Sequence, residues 1–194
     1  MSYIIFPKLR TRLSVFALPA LALMLWLEGV GAFMILLASA FLHEIGHILA
    51  IGFCGYRVRR IDVLPMGALI VVPEGIPDFF EFIIAISGPA VSVVCGFLGL
   101  SVFLMKNSVW TLFFACVNLI LGFFNLMPIT KLDGGKAFLS LLRHRNIKNA
   151  DRISACVSKI AFSLIIFLLS LCFVLSDCNL GVLILCLALA LQLA

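Results

Sequence analysis

Residues 31–51 read GAFMILLASAFLHEIGHILAI, and this stretch decides the fold. Apart from Ser39 it is apolar except for His43, Glu44 and His47, and it is about as long as a helix that crosses a bilayer, which needs roughly 20 apolar residues. An ionisable group at the centre of a membrane helix costs roughly 2.5–3.5 kcal/mol on insertion scales, so such residues are rare and usually functional. Three of them in one turn and a half, arranged as H-E-x-x-H, call for something that uses them. A metal ion is the obvious candidate.

The rest of the chain agrees with a membrane setting. Of its 194 residues 64% are hydrophobic and 12% charged, and the mean hydropathy is +1.25. Soluble domains are roughly 45–50% apolar. The net charge of +5 is unevenly spread. Basic residues gather at Lys8–Arg12, Arg57–Arg60, Lys131–Lys136 and Arg143–Arg152. That clustering fits cytoplasmic ends under the positive-inside rule and not a nucleic-acid surface. The seven cysteines lie mostly in apolar segments without a C-x-x-C pair, as small buried hydrophobes and not a disulfide framework.

Six apolar segments are candidate spans: about Leu9–Leu27, Val30–Phe53, Phe80–Met105, Val109–Met127, Ile153–Ser176 and Leu180–Leu193; the first and last are short, and a four- or five-span reading would make one of them an interfacial or re-entrant segment. Leu13–Leu27 follows a basic stretch as a signal peptide would, and Ala38-Ser39-Ala40 has the look of a cleavage site. Cutting there would strand the metal motif at a new N-terminus, so the segment is read as a retained first helix. The expected fold is an all-α, polytopic membrane protein of about six transmembrane helices, with a membrane-embedded hairpin or loop after the second. The hairpin is expected at Ile61–Val72, where β-branched arms flank Pro65-Met66-Gly67. Residues 1–194 read as one membrane domain, without a PDZ or nucleotide-sensing domain. With both termini in the cytoplasm, twelve basic residues lie at cytoplasmic ends and Lys106 alone lies opposite, while Lys159 snorkels from within the fifth span.

On a helix His43 and His47 share a face one turn apart and can hold one ion between them. Glu44 can lean toward an open coordination position and take a proton from bound water, whose pKa zinc lowers to about 7. This is the machinery of metal-assisted peptide hydrolysis. A third ligand is needed. His144, the only other histidine, lies in a basic polar linker, and a cysteine is possible. Asp133 is the better candidate, because Pro128 ends the fourth span and Gly134-Gly135 let backbone approach closely. The charge argument places it at the same membrane face and depth as the histidine pair.

With these residues in view, the chain resembles the site-2 protease family, peptidase family M50, the zinc metalloproteases that cut within membranes. That family carries H-E-x-x-H on one transmembrane helix and N-x-x-P-x-x-x-L-D-G on another. Here these are His43, Glu44 and His47, then Asn125, Pro128, Leu132, Asp133 and Gly134. The resemblance implies that His43, His47 and Asp133 bind Zn2+, that Glu44 is general base and acid, and that Asn125 positions the substrate peptide. Gly88-Pro89-Ala90-Val91-Ser92 is similar to a family G-P-x-x-N element, with Ser92 in place of Asn. Arg57–Val72 is similar to the compact branch that processes a sporulation sigma-factor precursor.

The implied function is an intramembrane zinc endopeptidase in a bacterial cell membrane, with its active site toward the cytoplasm. Its expected partners are a membrane-associated peptide substrate, the lipid bilayer and regulatory membrane proteins, without nucleic acid. A substrate helix must unwind to be cut, and a strand edge around Val63–Val72 would pair with it by β-augmentation. The rival readings are an inactive metal-binding membrane protein and a metal transporter. A different multi-span zinc protease would take a glutamate as third ligand, for which Glu74 and Glu81 are the candidates.

Overall fold

The computed structural model describes residues 3–6, 11–14, 17–64, 67–73 and 75–175. Among these the order is β1 (Tyr3–Phe6), β2 (Thr11–Ser14), α1 (Ala17–Phe53), β3 (Arg60–Leu64), β4 (Gly67–Val71), α2 (Asp78–Lys106), α3 (Val109–Asn125), α4 (Asp133–His144) and α5 (Ala150–Leu175). The strands form one sheet in the order β1-β2-β3-β4. β1 and β2 are antiparallel, β2 and β3 parallel, and β3 and β4 antiparallel.

The expected hairpin is present as β3 and β4, with Asp62 opposite Leu69 and Leu64 opposite Gly67. Pro65 and Met66 lie outside the described residues. Asp62 is buried, and Arg60 Nε lies 2.8 and 3.0 Å from its two carboxylate oxygens. Its charge is thereby offset where water is scarce.

The all-α expectation needs correcting at the N-terminus. Leu9–Leu27 is not one helix: Thr11–Ser14 is a strand, its residues 11–13 in register with 61–63 of β3, and the helix begins at Ala17. Gly29 then interrupts α1 with φ 76° and ψ 165°, a conformation that glycine reaches at little cost. A straight helix of α1's 37 residues would be about 55 Å long. Its two ends attach to neighbouring strands of one sheet, so the chain must change direction, and it does so at Gly29. Residues 17–28 span about 18 Å, short of a hydrocarbon core of roughly 30 Å.

Two helical segments are long and apolar enough to cross a membrane, Gly29–Phe53 and Asp78–Lys106, and the apolar α3 is shorter at 17 residues. The segment expected as the fifth span is helical as α5, which begins at Ala150 and exposes Leu164, Phe167, Leu168 and Leu171, but it is not one of these two. The sixth, Leu180–Leu193, lies outside the described residues. Exposed Met34, Phe41, Leu49, Val94, Phe97, Leu98 and Ile120 make the outward faces of α1–α3 apolar, as a lipid solvent requires.

α2 is the centre of the bundle, packing against α1, α3 and α4, while α5 packs on α4. Asp78 and Glu81 in its first turn and Lys106 in its last complement the helix dipole. Small residues let the backbones approach. A Cβ on Gly46 of α1 would stand 2.7 Å from Ser87 O of α2, and one on Gly99 of α2 would stand 3.2 Å from the Ala115 Cα of α3. This is the close packing that membrane helices use in place of a hydrophobic drive.

The expected linker between the fourth and fifth spans is in part helical. Pro128 prevents α3 from continuing, and residues 126–132 fold back into a turn before α4. Ile129 and Leu132 are buried there against Phe124 and Met127, and against Ala161, Phe162 and Ile165 of α5.

Candidate metal centre

His43 and His47 lie on the buried face of α1, and Asp133 opens α4. Asp133 Oδ2 is 3.1 Å from His43 Nε2 and 3.1 Å from His47 Nε2, and the two Nε2 atoms are 3.3 Å apart. The outer nitrogens are also engaged. His47 Nδ1–H donates to the Ile84 carbonyl at 2.8 Å, and His43 Nδ1 is 3.0 Å from Ser92 Oγ, both partners on α2.

The Ile84 carbonyl can only accept, so His47 Nδ1 carries the hydrogen and Nε2 presents a lone pair. Ser92 Oγ holds the same station for His43. Two imidazole lone pairs and a carboxylate oxygen then converge in a buried space, an arrangement that a cation stabilises. The spacing fits zinc: donors at about 2.0–2.1 Å and a tetrahedral angle stand roughly 3.3–3.4 Å apart. Among the described residues these three form the one His/Cys/Asp/Glu group that could hold a metal ion.

The chain is similar to proteins named as zinc metalloproteases. Residues 104–168 match the family model described as peptidase family M50. A zinc metalloprotease of Methanocaldococcus jannaschii is 32% identical over 145 residues, 72% of this chain and 42% of that protein. Stage IV sporulation protein FB of Bacillus subtilis is 32% identical over 129 residues, 63% of this chain and 44% of that protein. The solved site-2 protease from Methanocaldococcus jannaschii superposes with a TM-score of 0.66 at 25% identity, covering 98% of this chain and 93% of that one. The chain belongs to the site-2 protease family. It spans less than half the length of these two curated relatives.

In this site-2 protease family member the elements around the group explain its precision. A Cβ on Gly88 would overlap the His47 imidazole, so only glycine lets α2 pass there. A Cβ on Gly134 would strike the Leu126 carbonyl, and one on Gly135 the Ile129 carbonyl. The paired glycines therefore allow the 126–132 turn to lie on the first turn of α4, which carries Asp133. Ser158 of α5 holds that turn from the other side. Thr130 N–H donates to Ser158 Oγ at 2.9 Å, and the Thr130 hydroxyl is also 2.9 Å from it.

Glu44 follows His43 and is half-buried. Asn125, the last residue of α3, donates to Leu121 O of its own helix at 2.9 Å. The residues weighed as other ligands are elsewhere. His144 is exposed at the end of α4 with its ring 5.4 Å from that of Phe79, and Glu81 accepts from the Ser140 hydroxyl at 3.2 Å. Cys54, Cys95, Cys116 and Cys156 are free thiols outside the group. Glu74 lies outside the described residues.

Three supporting residues were not assigned roles from sequence. Ser92 was singled out only as a departure from Asn, and its position four residues after Gly88 on one helix face was the available signal. Ser158 carried no signal. Asn118 of α3 is fully buried and donates to Ser39 Oγ at 2.8 Å, one turn before His43, which joins α3 to α1 beside the site. Nothing local in the sequence marks that pair.

Proposed function

We propose that this chain is an intramembrane zinc endopeptidase, hydrolysing a peptide bond within or near a transmembrane segment of a membrane-associated substrate. The observation that carries the proposal is the convergence of His43, His47 and Asp133 within 3.3 Å, with Glu44 next to His43 on the same helix. His43, His47 and Asp133 would hold the ion. Zinc, when bound, supplies Lewis acidity that polarises both water and the scissile carbonyl. Glu44 takes the proton from the attacking water and returns it to the leaving amine. Asn125, at the end of α3, would orient the unwound substrate.

Hydrolysis needs an extended peptide. Among the described strands β4 has a free outer edge, because β3 is flanked by β2 and β4. An unwound substrate strand added to Gly67–Val71 would have its backbone groups paired before reaching the metal group. Replacing Met66-Gly67 by a bulky pair is expected to weaken substrate binding more than zinc content. Loss of zinc first would assign the hairpin a structural role.

The basic cluster at Lys131–Arg152 supports an active site toward the cytoplasm of a bacterial membrane, with regulation by partner membrane proteins. A transporter would carry polar donors across several depths of the bundle, whereas these three ligands form one compact group. The deciding experiment is Glu44→Gln in purified protein with a single-span model substrate. Cleavage is expected to vanish while zinc stays bound. Undiminished cleavage would sink the mechanism.

A further inference from the structure

Asp133 uses its two carboxylate oxygens differently. Oδ2 lies 3.1 Å from both histidine Nε2 atoms, whereas Oδ1 accepts from Lys136 Nζ at 3.0 Å. Lys136 is one turn along α4, on the same face, with its side chain 54% exposed while that of Asp133 is 12% exposed. This differs from an ordinary surface ion pair, because its acidic partner is buried and points into the metal group.

A carboxylate can bind a metal through one oxygen or through both. Metal sites that activate water usually keep three protein ligands and leave a position open. If both oxygens of Asp133 turned to the metal, that position would be crowded. Partners that hold the outer atoms of a ligand fix its orientation, and their loss typically costs about 10–100-fold in metal affinity or activity. Ser92 and Ile84 serve the outer nitrogens of the histidines, and the ammonium of Lys136 serves the outer oxygen of the acid.

We propose that Lys136 is a positioning residue that keeps Asp133 a one-oxygen ligand and so keeps a coordination position open for water. The inference rests on the metal reading of the site. It concerns the mode of ligation and not the identity of the ligands.

Cobalt(II) alone is the probe, because four-coordinate Co2+ absorbs visible light far more strongly than five- or six-coordinate Co2+. The purified full chain and its Lys136→Arg and Lys136→Met variants are each titrated with Co2+ in detergent, and affinity is measured by chelator competition. Wild type and Lys136→Arg are expected to give the intense four-coordinate spectrum. Lys136→Met is expected to lose that intensity, with affinity altered about 10–100-fold. A wild type that takes up no Co2+ overturns the metal reading itself. A Lys136→Met spectrum and affinity equal to wild type overturn the role of Lys136 and leave the metal reading intact. Should Lys136→Met fail to fold, the splitting between carboxylate stretching bands in metal-loaded wild type decides. A wide splitting is expected for one-oxygen ligation, and a narrow one overturns the proposal.

Discussion

Gly88 of α2 lies so close to His47 of α1 that a single methyl group on it would overlap the imidazole at Nε2, the atom that faces Asp133. The helix that supports the metal group therefore touches it through a residue without a side chain. Gly88→Ala is expected to displace His47 and to lower zinc affinity by about 10–100-fold or more. Zinc stoichiometry after chelator competition measures this. Gly52→Ala is the control, since a Cβ there has no neighbour within 4 Å. That change should leave zinc binding intact and stabilise the helix by up to about 1 kcal/mol.

Ser92→Ala removes the group 3.0 Å from His43 Nδ1 at a fully buried position. A freely rotating His43 binds metal less well, so affinity should fall about 10–100-fold with helical content unchanged. Competition titration alongside far-ultraviolet circular dichroism separates the two effects. Unchanged affinity would show that α1 packing alone orients His43.

Ser158→Ala tests how α5 reaches the site. The hydroxyl meets both Thr130 N and Thr130 Oγ1 at 2.9 Å, three residues before Asp133. Losing these bonds costs about 1–2 kcal/mol, and a loosened turn should weaken zinc binding by about tenfold. The same variant should leave pairing in the β3–β4 hairpin untouched, which amide hydrogen exchange can check.

Removal of the metal should also destabilise the fold locally, because it leaves three electron-rich atoms within 3.3 Å of one another. Binding linkage at a free zinc concentration of about 100 times Kd adds about 2.7 kcal/mol. A thermal melt with and without chelator is expected to show that loss in wild type. His47→Ala should melt at one temperature in both conditions.

Much of the site was legible because its strongest signals are local. His43 and His47 are related by one helical turn, and the apolar run around them states its environment. Asp133 is 86 residues from His47, yet Pro128 and the paired glycines mark its turn. The hairpin was legible from β-branched arms around a breaker. The N-terminal strands were not. Thr11–Ser14 adjoins an apolar run that continues into α1, and its partner Ile61–Val63 lies some 50 residues on. A four-residue strand has too few side chains to announce a period of two.

The sequence by itself determined an apolar chain of membrane type, the helix that presents His43, Glu44 and His47, and the turn that presents Asp133. Each of these follows from composition or from spacing within a few residues. Only the tertiary structure decided that Gly29 breaks α1, that β2 joins the hairpin, that Ser92 and Ile84 hold the histidines and that Ser158 holds the Asp133 turn. These depend on which helix faces approach and how closely. Approach distance is set by missing side chains at Gly46, Gly88, Gly134 and Gly135, whose neighbours in space are remote in the chain.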